Sequence, residues 1–135
     1  MKRALALLAL VLVAAACGSG GSARTGRTVT FETGGNFPTL TIVGTYSVAG
    51  CTHDARVIVE NAHLYYAHST GLPGPADLYF YDMREAFAHF QADDCTSKQL
   101  GDAVRTGLSS TQRTWLLDNV SRNLYVAFRA ALNAG

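Results

Sequence analysis

Ala55-Arg56-Val57-Ile58-Val59-Glu60-Asn61-Ala62-His63-Leu64-Tyr65-Tyr66-Ala67 is the stretch on which the fold turns. Two periodicities compete in it. Arg56, Glu60, His63 and Ala67 recur at helical spacing, and Gly71 stands where a helix would close. The β-branched run Val57-Ile58-Val59 and the pair Tyr65-Tyr66 favour a strand instead. The apolar phase slips between Val57/Val59 and Leu64/Tyr66, and a bulge near Glu60-Asn61 reconciles that slip with a strand. No capping residue followed three places later by Glu or Gln opens the segment. The expectation is therefore a strand.

Upstream, Thr28-Val29-Thr30-Phe31-Glu32 alternates as a strand does, and Gly34-Gly35-Asn36 makes a turn before Pro38. Residues 40–48 form the clearest strand. Leu40, Ile42, Tyr46 and Val48 lie on one face, with Thr41, Thr45 and Ser47 on the other. Downstream, Gly71-Leu72-Pro73-Gly74-Pro75 is a loop, and Leu78 to Tyr81 reads as a fourth strand. Helices follow. Asp82 with Glu85, Thr96 with Gln99 and Ser109 with Gln112 each have capping-box spacing. Met83, Phe87 and Phe90 give the first helix an apolar face, and Leu100, Val104 and Leu108 the second. Leu116, Val120, Leu124, Ala127, Phe128 and Ala131 stripe one long last helix. The expected fold class is α+β: an antiparallel sheet of three to four strands followed by three helices packed on one face, as a single domain over residues 29–135.

The amino terminus carries a different signal. Lys2 and Arg3 precede an apolar run from Ala4 to Ala16, which is shorter than the roughly 20 residues a spanning helix needs. The run closes as Ala14-Ala15-Ala16-Cys17 and is followed by Gly18-Ser19-Gly20-Gly21-Ser22. This pattern resembles the lipobox signal peptide of bacterial lipoproteins. The resemblance covers residues 1–22 and implies that residues 1–16 are cleaved. It implies that Cys17 becomes the lipidated first residue, with diacylglyceryl on its thiol and an acyl chain such as palmitate on its amine. One acyl chain holds a protein only marginally, at about 0.8 kcal/mol per buried methylene, whereas two or three anchor it. Residues 17–28 would then be a flexible tether. The protein would be moored to the cell membrane or outer membrane, facing away from the cytoplasm, with membrane lipid as a partner through Cys17.

With Cys17 given to lipid, Cys51 and Cys95 remain, and an even remainder in an oxidising compartment argues for a disulfide. Closing that loop contributes about 4 kcal/mol by chain entropy. Loss of Lys2 and Arg3 lowers the basic residues from eleven to nine against ten acidic ones, a net charge of −1. The charges are scattered singly, which excludes a nucleic-acid footprint.

Catalytic motifs are absent. There is no G-x-S-x-G elbow. His53 beside Cys51 and Cys95 falls short of a zinc site, because a second close ligand pair is missing. His63 and His68 are spaced to chelate on neither a strand nor a helix, and His89 falls near a helix end. Neither a metal nor a cofactor is expected. Asp93-Asp94 reads as loop and cap rather than as a catalytic acid pair. Trp115 reads as a packing anchor. Tyr65, Tyr66, Tyr79 and Tyr81 fall in two strand-like runs, and if they face outward they form a platform for sugar rings or a partner protein. The competing reading has them covered by a helix or by the Pro-rich loop. The functional expectation is a membrane-anchored envelope lipoprotein, a non-enzymatic binding or accessory domain for an envelope protein or cell-wall glycan. The alternatives are a small envelope hydrolase or carbohydrate-binding protein, and a histidine-dependent metal carrier.

Overall fold

A computed structural model describes residues 23–32 and 39–134 of the chain. The signal segment, Cys17 and the Gly34-Gly35-Asn36 turn lie outside the described residues. The fold is α+β. Two strands, β1 (Arg24–Phe31) and β2 (Leu40–Tyr46), form an antiparallel sheet. Five helices follow: α1 (Val48–Thr70), α2 (Ala76–Ala92), α3 (Ser97–Gly107), α4 (Ser110–Asn119) and α5 (Arg122–Asn133).

The expected third strand, residues 55–67, is the middle of α1, a helix of 23 residues. Its start lies well upstream of the ambiguous stretch. Ser47 takes the N-cap and its hydroxyl accepts the Gly50 amide at 2.9 Å. The buried stripe is Cys51, Ala55, Ile58, Val59 and Ala62, at the spacing of one helix face. Two of these are alanines and one is a cysteine, so the stripe is quiet in the sequence. The β-branched run costs the helix only about 0.5 kcal/mol per residue. Burying Ile58 and Val59 offsets that several times over, at about 1.5–3 kcal/mol each.

The expected fourth strand, Leu78 to Tyr81, is likewise helical. Helix α2 begins just after Pro75, six residues before the predicted Asp82 cap, and Asp77 sits in its positive first turn. Phe80, Met83, Phe87 and Phe90 then line its inner face. Among the described residues the sheet therefore has two strands rather than three to four, and the helices number five rather than three. Part of the increase comes from the expected single last helix. It breaks at Val120 and Ser121, both extended, into α4 and α5. Both halves keep their apolar stripe, since Leu116, Leu124, Phe128 and Ala131 are all buried. The boxes at Thr96/Gln99 and Ser109/Gln112 form as the sequence indicates. Residues 24–28, expected in the tether, belong to β1.

The helices share one core around Ile58, Met83, Leu100, Val104, Leu116 and Leu124. The hairpin makes a second, smaller core. Phe31 and Ile42 press on Ala88 and Ala92 of α2, with Val29 and Tyr81 at the margin. The approach is close enough that a Cβ on Gly26 or Gly44 would overlap the Ala92 carbonyl. Between Thr25 and Thr28 the strand register shifts by one residue, a bulge at Gly26-Arg27.

Candidate functional site

Two places stand out: a corner where hairpin and helices are joined by acids, and a groove between α1 and α3.

The corner is built on the end of α2. The Cys95 amide bonds the Phe90 carbonyl at 3.2 Å, and the Asp94 amide bonds that of Gln91 at 3.1 Å. These are the two bonds of a Schellman ending, and Asp94 fills its left-handed position with φ 58°. Glycine is usual there; a non-glycine residue costs roughly 1–2 kcal/mol. Asp94 has ionic partners to set against that cost. Arg27 reaches its Oδ1 at 2.7 Å and Arg24 its Oδ2 at 3.3 Å. Residues three apart on a regular strand face opposite ways. The bulge at Gly26-Arg27 restores the parity and brings both guanidiniums to one carboxylate.

The same chain ending places Cys95 against Cys51, in the first turn of α1. The two cysteines are disulfide-bonded, with Cα atoms 5.5 Å apart and a sequence separation of 44. Cys51 is helical, so the bridge joins α1 to the α2–α3 connection. Cys51 is fully buried.

Beside the bridge, Asp54 on α1 meets Asp93, the C-cap of α2. Asp54 Oδ2 is buried with no donor against it. The carboxyl is pushed up to about 7, first by burial and then by the hydrogen bond and negative charge of Asp93. Asp93 Oδ1 in turn accepts the Thr45 amide of β2 at 2.8 Å. Asp54 was not singled out in the sequence. The available signal was its position three residues after Cys51, on the same helix face, with Asp93 two residues before Cys95.

The groove runs along α1 from Val48 to Leu64 and has a volume of about 1090 Å³. Val48, Ala55, Val59, Leu64 and Ala103 supply its apolar surface, and Val48 is 55% exposed. The charges beside it are already matched. Arg56 pairs with Glu60 at 3.7 Å, and Asp102 accepts Lys98 at 2.8 Å and Arg105 at 3.0 Å. Those two bonds hold the Asp102 carboxyl below its ordinary range. His63 accepts a hydrogen bond from Gln112 at 2.8 Å, the same glutamine that closes the α4 capping box.

The four tyrosines do not share a face, because the strands that would have aligned them are helices. Tyr65 and Tyr66 pack on Trp115 at 5.1 and 5.3 Å, and the Tyr65 hydroxyl donates to the Asn119 carbonyl at 2.9 Å. Burial pushes the Tyr65 phenol up, with Asp77 adding to it. Tyr79 stacks on His68 at 4.7 Å, and Tyr81 meets Phe31 edge-on at 5.6 Å. Trp115 is the anchor of this packing. His53 and Arg56 are hydrogen-bonded at 3.1 Å, and His68 donates to the Pro73 carbonyl at 3.0 Å. Among the described residues, no three His, Cys, Asp or Glu side chains converge as a metal cage would require. Among the same residues, no helix is long and apolar enough to cross a membrane.

No protein-family description, curated protein or solved structure matches this chain.

Proposed function

We propose that the chain is an exported envelope lipoprotein, moored through acylated Cys17, whose domain is a non-enzymatic module that holds one acyl chain in the α1–α3 groove. The observation that carries the binding reading is the shape and chemistry of that groove. The sixteen steps of 1.5 Å from Val48 to Leu64 along α1 make it about 24 Å long. Spread over that length, 1090 Å³ leaves a mean section of about 45 Å², open along one side. A partner helix could lay only one face in it. An extended peptide is slim enough, but the groove walls are helices whose backbone groups are already bonded, so it would gain no main-chain hydrogen bonds from them. A hydrocarbon chain needs none. The balanced charges at the rim offer little to an ionic ligand.

The energetics are adequate. Ten buried methylenes contribute about 8 kcal/mol before the cost of association. Micromolar binding needs about the same net figure, so a longer chain reaches it. The hydrolytic reading has less behind it, because Asp54 and Asp93 face each other at the hairpin corner and do not line the groove.

Titration of the oxidised chain with a fluorescent long-chain fatty acid tests the groove. Saturable one-to-one binding is expected, lost in Ala103→Phe, which fills the groove. No saturable binding, or equal binding by Ala103→Phe, refutes it. The anchor is tested separately by mass spectrometry of protein from its own host, where Cys17 should be the first residue and carry two or three acyl chains.

A further inference from the structure

Besides its apolar seat on Ala88 and Ala92, the hairpin is held by polar contacts at one corner, and a single side chain does two jobs there. Asp93 accepts the Thr45 amide from β2 at 2.8 Å, and the Cys51–Cys95 bridge holds it beside Asp54 on α1, whose buried Oδ2 has no partner. While Asp54 holds a proton, it donates to Asp93 and the corner carries one negative charge. Once Asp54 ionises, two carboxylates face each other with no proton between them, and repulsion must be relieved by movement.

The disulfide limits what can move. Cys51 lies three residues before Asp54, and Cys95 two residues after Asp93, so the covalent bridge holds α1 to the end of α2. The two backbones cannot separate, and the remaining freedom is rotation of a side chain. Asp54 has its Oδ2 enclosed. Asp93 sits at a helix end, where turning outward costs it only the Thr45 bond.

Among the described residues, the arginines and the lysine around the corner are already engaged. From β1, Arg24 and Arg27 are both engaged by Asp94, and Arg24 also lies over the Tyr46 ring at 4.1 Å. On α1, Arg56 is paired with Glu60 and hydrogen-bonded to His53. His89 in the last turn of α2 is exposed, and Lys98 of α3 is paired with Asp102. β2 contributes only the Thr45 amide and Tyr46.

We propose that this corner is a proton-operated latch: with Asp54 protonated the hairpin is docked on α2, and with Asp54 ionised Asp93 turns away from Thr45 and the hairpin loosens. The latch stands independently of the groove and of the lipid anchor.

Hydrogen exchange of the oxidised chain at pH 5.5 and 8 tests it, with each amide corrected for its intrinsic pH dependence. Protection at Thr45 and across the β1–β2 pairs should fall about tenfold or more at the higher pH, as one pKa unit of differential interaction gives a factor of ten. Amides around Ile58 and Met83 should be unchanged. Asp54→Asn, which cannot ionise, should keep the hairpin protected at both pH values. Asp93→Asn keeps an acceptor for Thr45 but removes the facing charge, and should move the transition to lower pH. The proposal is overturned by equal hairpin protection at both pH values in the wild type, or by the same fall in Asp54→Asn. It is also overturned if Asp54→Asn loses protection at both pH values while Asp93→Asn leaves the transition unmoved.

Discussion

Replacing Asp54 by Asn should remove a pH-dependent loss of global stability. In the folded chain the Asp54 carboxyl titrates at about 7 and in the unfolded chain at its ordinary 3.8, so folding takes up a proton between those values. The sign follows from that uptake. Stability linked to this group is complete below 3.8, declines as pH rises, and is gone above about 7. Three units correspond to roughly 4 kcal/mol at 1.36 kcal/mol per unit. The carboxyl is only partly buried, and solvent screening brings the expected effect down to on the order of 2 kcal/mol. At about 4 °C per kcal/mol for a domain of this size, wild type should melt roughly 8 °C below Asp54→Asn at pH 8 and level with it at pH 4. The other shifted groups fall outside this window. Asp102 is lowered by Lys98 and Arg105 and loses its contribution only in acid, while Tyr65 is raised from 10.0 and acts only in base. Calorimetric melts of both proteins from pH 4 to 8.5 are the assay. Parallel pH profiles for the two would refute the assignment.

Other outcomes are open to direct measurement. Reducing the Cys51–Cys95 bridge, or replacing both cysteines by alanine, should cost about 4 kcal/mol by denaturant titration, given a loop of 44 residues. Gly44→Ala should displace the hairpin from Ala92, at a cost of about 1–3 kcal/mol, while hydrogen exchange in the α1–α2 core stays slow. Ser109→Ala should lose about 1 kcal/mol through its broken capping box. Ser121→Ala should be close to neutral, since the Ser121 side chain makes no cap bond. A Ser121 effect as large as that of Ser109 would contradict the cap assignments.

The parts of the fold legible in the sequence were those with a local cause. Capping boxes at Thr96 and Ser109 are complete within four residues, and both formed. The α1 assignment failed because its evidence was split. Arg56, Glu60 and His63 did mark the exposed face of a helix, as all three are exposed. The opposite face is Cys51, Ala55 and Ala62, whose short side chains give little hydrophobic signal, while Val57-Ile58-Val59 gives a loud one for strand. The cap that would have decided the matter, Ser47, has Gly50 at the third helical position where a capping box carries Glu or Gln. At Leu78 to Tyr81 the alternation is real, but the segment continues without interruption into Met83 and Phe87 on the same helix face.

The candidate sites were harder to see than the fold for a related reason. A groove between two helices is visible only where both helices are, and the sequence of one of its walls favours a strand. The acid corner joins residues from four elements: Arg24 and Arg27 on β1, Thr45 on β2, Asp54 on α1, and Asp93 and Asp94 ending α2. No spacing rule connects Asp54 to Asp93 along the chain. The disulfide does connect them. Once Cys51 and Cys95 are paired, a helix through Cys51 puts Asp54 beside the bridge, and a helix ending before Cys95 puts Asp93 on its other side. Two acids forced together by a covalent bond in a small domain impose a standing electrostatic cost. A chain that keeps this arrangement has its hairpin coupled to the proton concentration around it, because the same Asp93 carboxylate holds Thr45.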